Sequence, residues 1–237
     1  MKRPITTKSI LILAILSLSS FCLLKREAAA KTNPHALVIS HNISITVSIT
    51  GRSLRGSDTI KVESSGGILR LILNKKASIT RVRAGGKRVH LTSKDVKDEP
   101  LKELILSIPP RKDNKAISVH ISFNETTASI KSAEQNIRRG ISYVNKGVIG
   151  KRGLFLPSSS YWYPHTESGT SQYNLSINMP RGYTSVSEGE WMLHMNSADR
   201  TFDRWKTRRP INGLDIVASK FRVNKSVHKG VKIYTFF

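Results

Sequence analysis

Two carboxylates stand two residues apart in the segment SVSEGEW, at Glu188 and Glu190. On a strand that spacing puts both on one side, and paired carboxyl groups can supply the acid and the base of glycoside hydrolysis. A working pair normally reaches across a cleft from different elements, however, and Gly189 between them also reads as a turn or bulge. Ser158, Ser159 and Ser160 offer hydroxyls, but no G-x-S-x-G elbow and no ordered His and Asp partners accompany them, so they read as a polar loop. The histidines His35, His41, His90, His120, His165, His194 and His228 form no H-x-H or H-E-x-x-H pair. Spacing therefore gives no metal site, and they read as ordinary surface or capping residues. The one cysteine, Cys22, lies near the N-terminus, inside an apolar run.

No catalytic and no metal-ligating residue is assigned on these grounds. What remains is binding chemistry. Tyr161, Trp162 and Tyr163 sit between Pro157 and Pro164, and aromatics this dense either stack on a ligand or plug two sheets together, with packing the favoured reading. They and the two glutamates are the candidates for contact with a substrate or partner. Arg204, Trp205, Arg208 and Arg209 form the best basic-aromatic patch, which also reads as a solvated rim.

These residues need a frame, and alternation supplies it. In HNISITVSIT, Ile43, Ile45, Val47 and Ile49 share one face and Ser44, Thr46 and Ser48 the other. Gly51 to Gly56 read as a turn, and SDTIKVES returns as the second strand of a hairpin. ASITRVRAGGKRVHL reads as another hairpin about Gly85-Gly86. ILRLILN, KELILSI, KAISVHISF, QYNLSINMP, YTSVSEGEWMLHM, LDIVASKFRV and VKIYTFF continue the pattern. The spacing predicts an all-β domain over 31–237, an antiparallel sandwich or set of saddle-shaped sheets. An irregular connection is expected over about 126–152, with one weak helical stretch at Ala128 to Arg139.

Residues 1–30 read as a secretory signal, expected as a short helix. Lys2, Arg3 and Lys8 precede the apolar run Ile10 to Leu24, and Ala28-Ala29-Ala30 offers the small residues a signal peptidase requires. The expected location is exported, whether periplasmic, envelope or extracellular, or membrane-anchored if the signal is not cleaved. The formal net charge is +23, and about +19 once the five bases and one acid of the signal are set aside. Such a charge favours an anionic membrane surface or wall polymer as partner. Export and the lack of a recognition motif argue against nucleic acid. The bases themselves are dispersed in pairs such as Lys87-Arg88 and Arg208-Arg209.

Three segments together resemble the N-terminal β domain of the membrane alanyl aminopeptidase family, zinc exopeptidases of the gluzincin type. They are HNISITVSITGRSLRGSDTIKVES, then GLFLPSSSYWYPH with YNLSINMPRGYTSVSEGE, then PINGLDIVASKFRV with VKIYTFF. The family's zinc sits on an H-E-x-x-H helix behind a G-x-M-E-N strand, and neither motif is present in these 237 residues. The resemblance therefore implies a domain that scaffolds and covers the active-site entrance of a metal domain, its partner in the same chain or encoded downstream. Zinc would belong to that other domain, and no cofactor is expected here. VKIYTFF is apolar up to Phe237 and reads as a strand cut short, so a truncated portion inactive alone is expected. The alternative is a self-standing envelope module that binds an anionic wall polymer, lipid or protein.

Overall fold

Alternation decides which side each strand turns inward. On β1 (Leu37–Ser48) Ile43, Ile45 and Val47 are buried while Asn42, Ser44 and Thr46 face solvent, the two-residue period of a pleated strand. The computed structural model describes residues 36–63, 67–109, 116–127, 147–167 and 169–237. Among the described residues the protein is all β apart from a single 3₁₀ turn, η1 (Ser158–Ser160). The signal at 1–30, the helical stretch expected at 128–139 and most of the connection expected over 126–152 lie outside the described residues.

β1 and β2 (Ser53–Glu63) form the first hairpin, followed by β3 (Gly67–Asn74), β4 (Ser78–Ala84), β5 (Lys87–Arg88), β6 (Leu91–Asp95), β7 (Leu101–Ile108) and β8 (Ile117–Thr126). The second half holds β9 (Val148–Gly150), β10 (Gly153–Leu156), β11 (Gln172–Pro180), β12 (Thr184–Ser187), β13 (Glu190–Asn196), β14 (Arg200–Lys206), β15 (Ile216–Ser219), β16 (Val223–His228) and β17 (Val231–Phe236). Eight of these make one broad sheet in the order β13-β14-β11-β1-β2-β8-β4-β5. A three-stranded sheet β3-β7-β6, a four-stranded sheet β12-β15-β10-β9 and the hairpin β16-β17 complete the described fold.

The broad sheet buries one face from β14 across to β4. Ile60 and Val62 of β2 and Val119 and Ile121 of β8 pack with Leu69, Leu71, Leu104 and Leu106 of the three-stranded sheet. Ile43, Ile45, Leu175 and Ile177 pack instead with Leu154, Leu156, Ile216 and Ala218 of the four-stranded sheet, sealed by Trp162 and Tyr163. Two cores therefore lie side by side under one sheet, and burial of that apolar area is the main force holding the layers together.

Two expectations change in detail. Among the described residues every ladder is antiparallel except one: β1 runs parallel to β11, with Ile43 beside Leu175. Alternation reports the face a residue points to, not the strand beside it, so this join of the two halves of the chain left no local signal. The first turn is also shorter than expected. It closes over Ile49–Arg52, and β2 begins at Ser53. Gly56 is not a turn residue but lies inside β2, directly opposite Phe123 of β8. A Cβ there would sit 2.6 Å from the Phe123 ring, so the glycine is what lets the ring lie on the strand. The Gly85-Gly86 turn lies where expected, with Ala84 facing Lys87 across it.

Candidate functional site

Glu188 and Glu190 do not share a strand face. β12 ends at Ser187, the chain bends through Glu188 and Gly189, and β13 starts at Glu190. Gly189 has φ +96°, and a Cβ on it would meet the Lys206 carbonyl oxygen at 2.3 Å, so only glycine permits this bend against β14. The bend gives the two acids opposite surroundings. Glu188 is half-buried and accepts hydrogen bonds from the Asp215 N–H at 2.9 Å and the Ser187 hydroxyl at 3.2 Å. Burial pushes its carboxyl above the usual carboxylate range. Glu190 instead takes Nε and Nη2 of Arg208 at 3.2 and 2.9 Å, and that guanidinium holds its carboxyl below the usual range.

Both acids line one cleft of about 690 Å³ with Trp191, Trp205, Arg208, Arg209 and Tyr234. The indoles of Trp191 and Trp205 are stacked, 5.6 Å apart and 3° from parallel. Tyr234 of β17 meets Trp191 edge-on at 5.3 Å, and Lys225 of β16 lies 5.1 Å from the same ring. The hairpin β16-β17 thus supplies part of the wall, and its lysine makes a cation–π contact with the Trp191 indole. Of the residues grouped in that patch, Trp205, Arg208 and Arg209 come together here. Arg204 does not: it neighbours Trp205 on β14, so it points through the sheet to the outer face, 5.8 Å from the Phe202 ring.

The Tyr161, Trp162, Tyr163 run lies elsewhere. η1 is capped by Tyr161, which takes φ 51° and turns the chain inward. Trp162 and Tyr163 are then wholly enclosed in the core. The Trp162 indole donates to the Leu214 carbonyl at 3.1 Å, and the Tyr163 oxygen accepts from the Leu214 N–H at 3.2 Å. They pin the loop before β15 to the sandwich, as the packing reading expected. Tyr161 is half-buried and meets His165 edge-on at 5.9 Å. The three serines form η1, where the Ser158 N–H donates to Asp215 at 2.7 Å and the Ser160 hydroxyl closes on the Pro157 carbonyl.

Two buried polar clusters escaped the sequence. Asp203 is fully buried behind the Trp stack. One oxygen accepts from the Ser185 N–H and hydroxyl at 2.8 and 2.7 Å, the other from the Trp191 indole at 3.3 Å and His194 at 2.7 Å. Ser185 in turn accepts from the Trp205 indole at 3.0 Å. Asp203 is thus the anchor of the cleft's aromatic floor. The second cluster corrects the reading of the histidines as surface or capping residues. His41 is fully buried, 2.6 Å from the buried Asp58, stacked on Tyr173 at 4.9 Å and edge-on to Tyr163. Its signal was its phase: His41 precedes Ile43, Ile45 and Val47 on the inward side of β1, and Asp203 alternates with Thr201 and Trp205 in the same way.

Comparison with known proteins adds a fold-level likeness. No family model matches this sequence, and no curated protein does. Among solved structures it is similar to the M1 zinc metallopeptidase of Deinococcus radiodurans, with a TM-score of 0.64 and 11% identity, covering 83% of this chain and 44% of that one. It is also similar to yeast LTA4 hydrolase, with a TM-score of 0.56 and 15% identity, covering 89% of this chain and 34% of that one. The chain therefore spans less than half the length of the structures it resembles.

Proposed function

We propose that this chain is a non-catalytic β domain of an exported, aminopeptidase-like zinc metallopeptidase, and that it covers and borders the active-site entrance of a separate metal domain. The observation that carries this reading is the asymmetry of the structural likeness: over four-fifths of this fold aligns with under half of an M1 zinc metallopeptidase. The sequence agrees, since it holds the segments that resemble the family's N-terminal domain and neither H-E-x-x-H nor G-x-M-E-N. The family's zinc is carried by that absent motif, so no step through a metal is derived for these residues. In this reading the Glu188 and Glu190 cleft is the surface offered to a substrate amine or to the metal domain, and the stacked tryptophans hold its shape. Export through residues 1–30 belongs to the same proposal.

The test has two arms. The reading frames beyond the Phe237 codon should encode G-x-M-E-N and H-E-x-x-H. The purified chain, supplied with zinc, should leave alanyl-p-nitroanilide intact. Unrelated sequence downstream in every frame, or zinc-dependent hydrolysis by the chain alone, overturns the reading.

A further inference from the structure

The bases that are scattered in the sequence are gathered by the register of the broad sheet. Residues directly opposite one another on neighbouring strands share a face, so the pairings can be followed outward-facing residue by residue. One row runs Arg88, Arg83, His120, Thr59, Asn42, Asn174 and ends in Lys206. The next runs Arg81, Ser122, Ser57, Ser44, Ser176 and ends in Arg204. All of these side chains are exposed or half-exposed. Lys61 and Arg55 join from the flanking rows. Neither main row contains an acid before Glu190 at the β13 edge, where Arg208 already holds it.

Two features make this more than a solvated surface. Arg83 and Arg88 are placed directly opposite one another, and like charges in that position destabilise a ladder. Neither they nor Arg81 has an ion-pair partner among the described residues. An anion lying over the hairpin would relieve that repulsion. The middle of the face is also built from hydroxyls and amides, and His120 is tied into it by Thr59 at 3.1 Å and Ser122 at 3.2 Å.

We propose that this outer face binds an anionic polysaccharide. The cations at both margins meet its carboxylates, and the serine, threonine and asparagine rows between them meet its hydroxyls. From β5 to β14 the face spans six strand spacings, roughly 29 Å, enough to seat several sugar units. The composition argues against the other polyanions. Single-stranded nucleic acid needs aromatic side chains for base stacking, and a membrane surface favours apolar side chains that enter the headgroup layer. Short of the β13 edge the two rows contain no apolar side chain and one aromatic ring, His120, which is half-buried and tied to Thr59 and Ser122. This inference does not rest on the peptidase reading, and either can fail without the other.

The experiment uses the purified chain and polygalacturonate, measured by affinity electrophoresis and calorimetry, with neutral dextran, phosphatidylglycerol vesicles and single-stranded DNA alongside. Arg81→Ser, Arg83→Ser and Arg88→Ser together should weaken polygalacturonate binding about tenfold or more. Removing three bases elsewhere, by Lys94→Ser, Lys97→Ser and Lys229→Asn, should change it less than about twofold. A second variant, Asn42→Glu, places one acid in the middle of the face and should also weaken binding if the triple variant fails to fold. Equal losses in the two triple variants, unchanged binding by Asn42→Glu, or tighter binding to the vesicles or DNA than to polygalacturonate would each overturn the proposal.

Discussion

Asp203 holds Nδ1 of His194 at 2.7 Å on one oxygen while its other oxygen is taken by Ser185, and none of its carboxylate reaches solvent. This one residue joins β12, β13 and β14 and sets the tilt of both indoles in the cleft, Trp191 directly and Trp205 through Ser185. Removing it strands the buried N–H and hydroxyl of Ser185 and unpairs the half-buried Trp191 and His194, and unpaired buried donors are costly. Asp203→Ala should lower stability by about 3–5 kcal/mol in urea denaturation. Asp203→Asn, which keeps one oxygen acceptor, should cost less. The same substitution should alter the tryptophan near-ultraviolet circular dichroism, and an unchanged spectrum would argue against the anchoring role.

The His41 and Asp58 pair is a fully buried polar contact, where the two partners should be strongly coupled. The two side chains come from adjacent strands, both are fully buried, and each keeps one polar atom, His41 Nε2 and Asp58 Oδ1, without a partner. Breaking such a pair on one side leaves the other group stranded, whereas replacing both with apolar residues is often tolerated. Asp58→Val alone should destabilise by about 3 kcal/mol. His41→Phe with Asp58→Val should recover at least 1 kcal/mol of the summed single losses, roughly the coupling expected of residues in contact. Additive losses in the cycle would show that the pair contributes no interaction of its own.

Gly56 tests the close approach in β2. The Phe123 ring occupies the space of a Cβ, and overpacking of a full core typically costs about 1–3 kcal/mol. Gly56→Ala should fall in that range, and Phe123→Leu added to it should restore part of the loss by vacating the ring's edge. A neutral Gly56→Ala variant would mean that the sheet yields there easily.

Much of this frame was legible in the sequence. The inward phase of Ile43, Ile45 and Val47 and the Gly85-Gly86 turn follow from local rules, and the structure has both. The site was less legible for two reasons. Arg204 and Trp205 are neighbours in sequence, yet a strand sends adjacent side chains to opposite faces, so only one of them reaches the cleft. The basic face depends on which strands lie side by side, above all on β1 beside β11, and sequence distance hides that. His41, Asp58 and Asp203 were marked only by being polar in an inward phase, a signal that competes with the ordinary expectation that such residues face water.

Glu125 gives the clearest pH dependence. It follows Phe123 on the inward side of β8, is 7% exposed, and has an unpartnered Oε2. Burial raises its pKa to about 8, against the smaller lowering by Lys76 and Lys102. The folded state therefore holds a proton on Glu125 that the unfolded state, near the ordinary carboxylate value of 4.5, releases. Where the native state binds more protons, stability falls as pH rises. The contribution is fully present below about 4.5 and is lost progressively as pH climbs through the folded value of about 8. Glu125→Gln removes the titration while keeping the shape, so it should flatten this part of the stability profile. Relative to the parent chain it should gain on the order of a few kcal/mol at pH 8.5 compared with pH 5. Urea denaturation of both chains at the two pH values measures this directly, and parallel profiles would mean that Glu125 is ionised in the folded state at neutral pH.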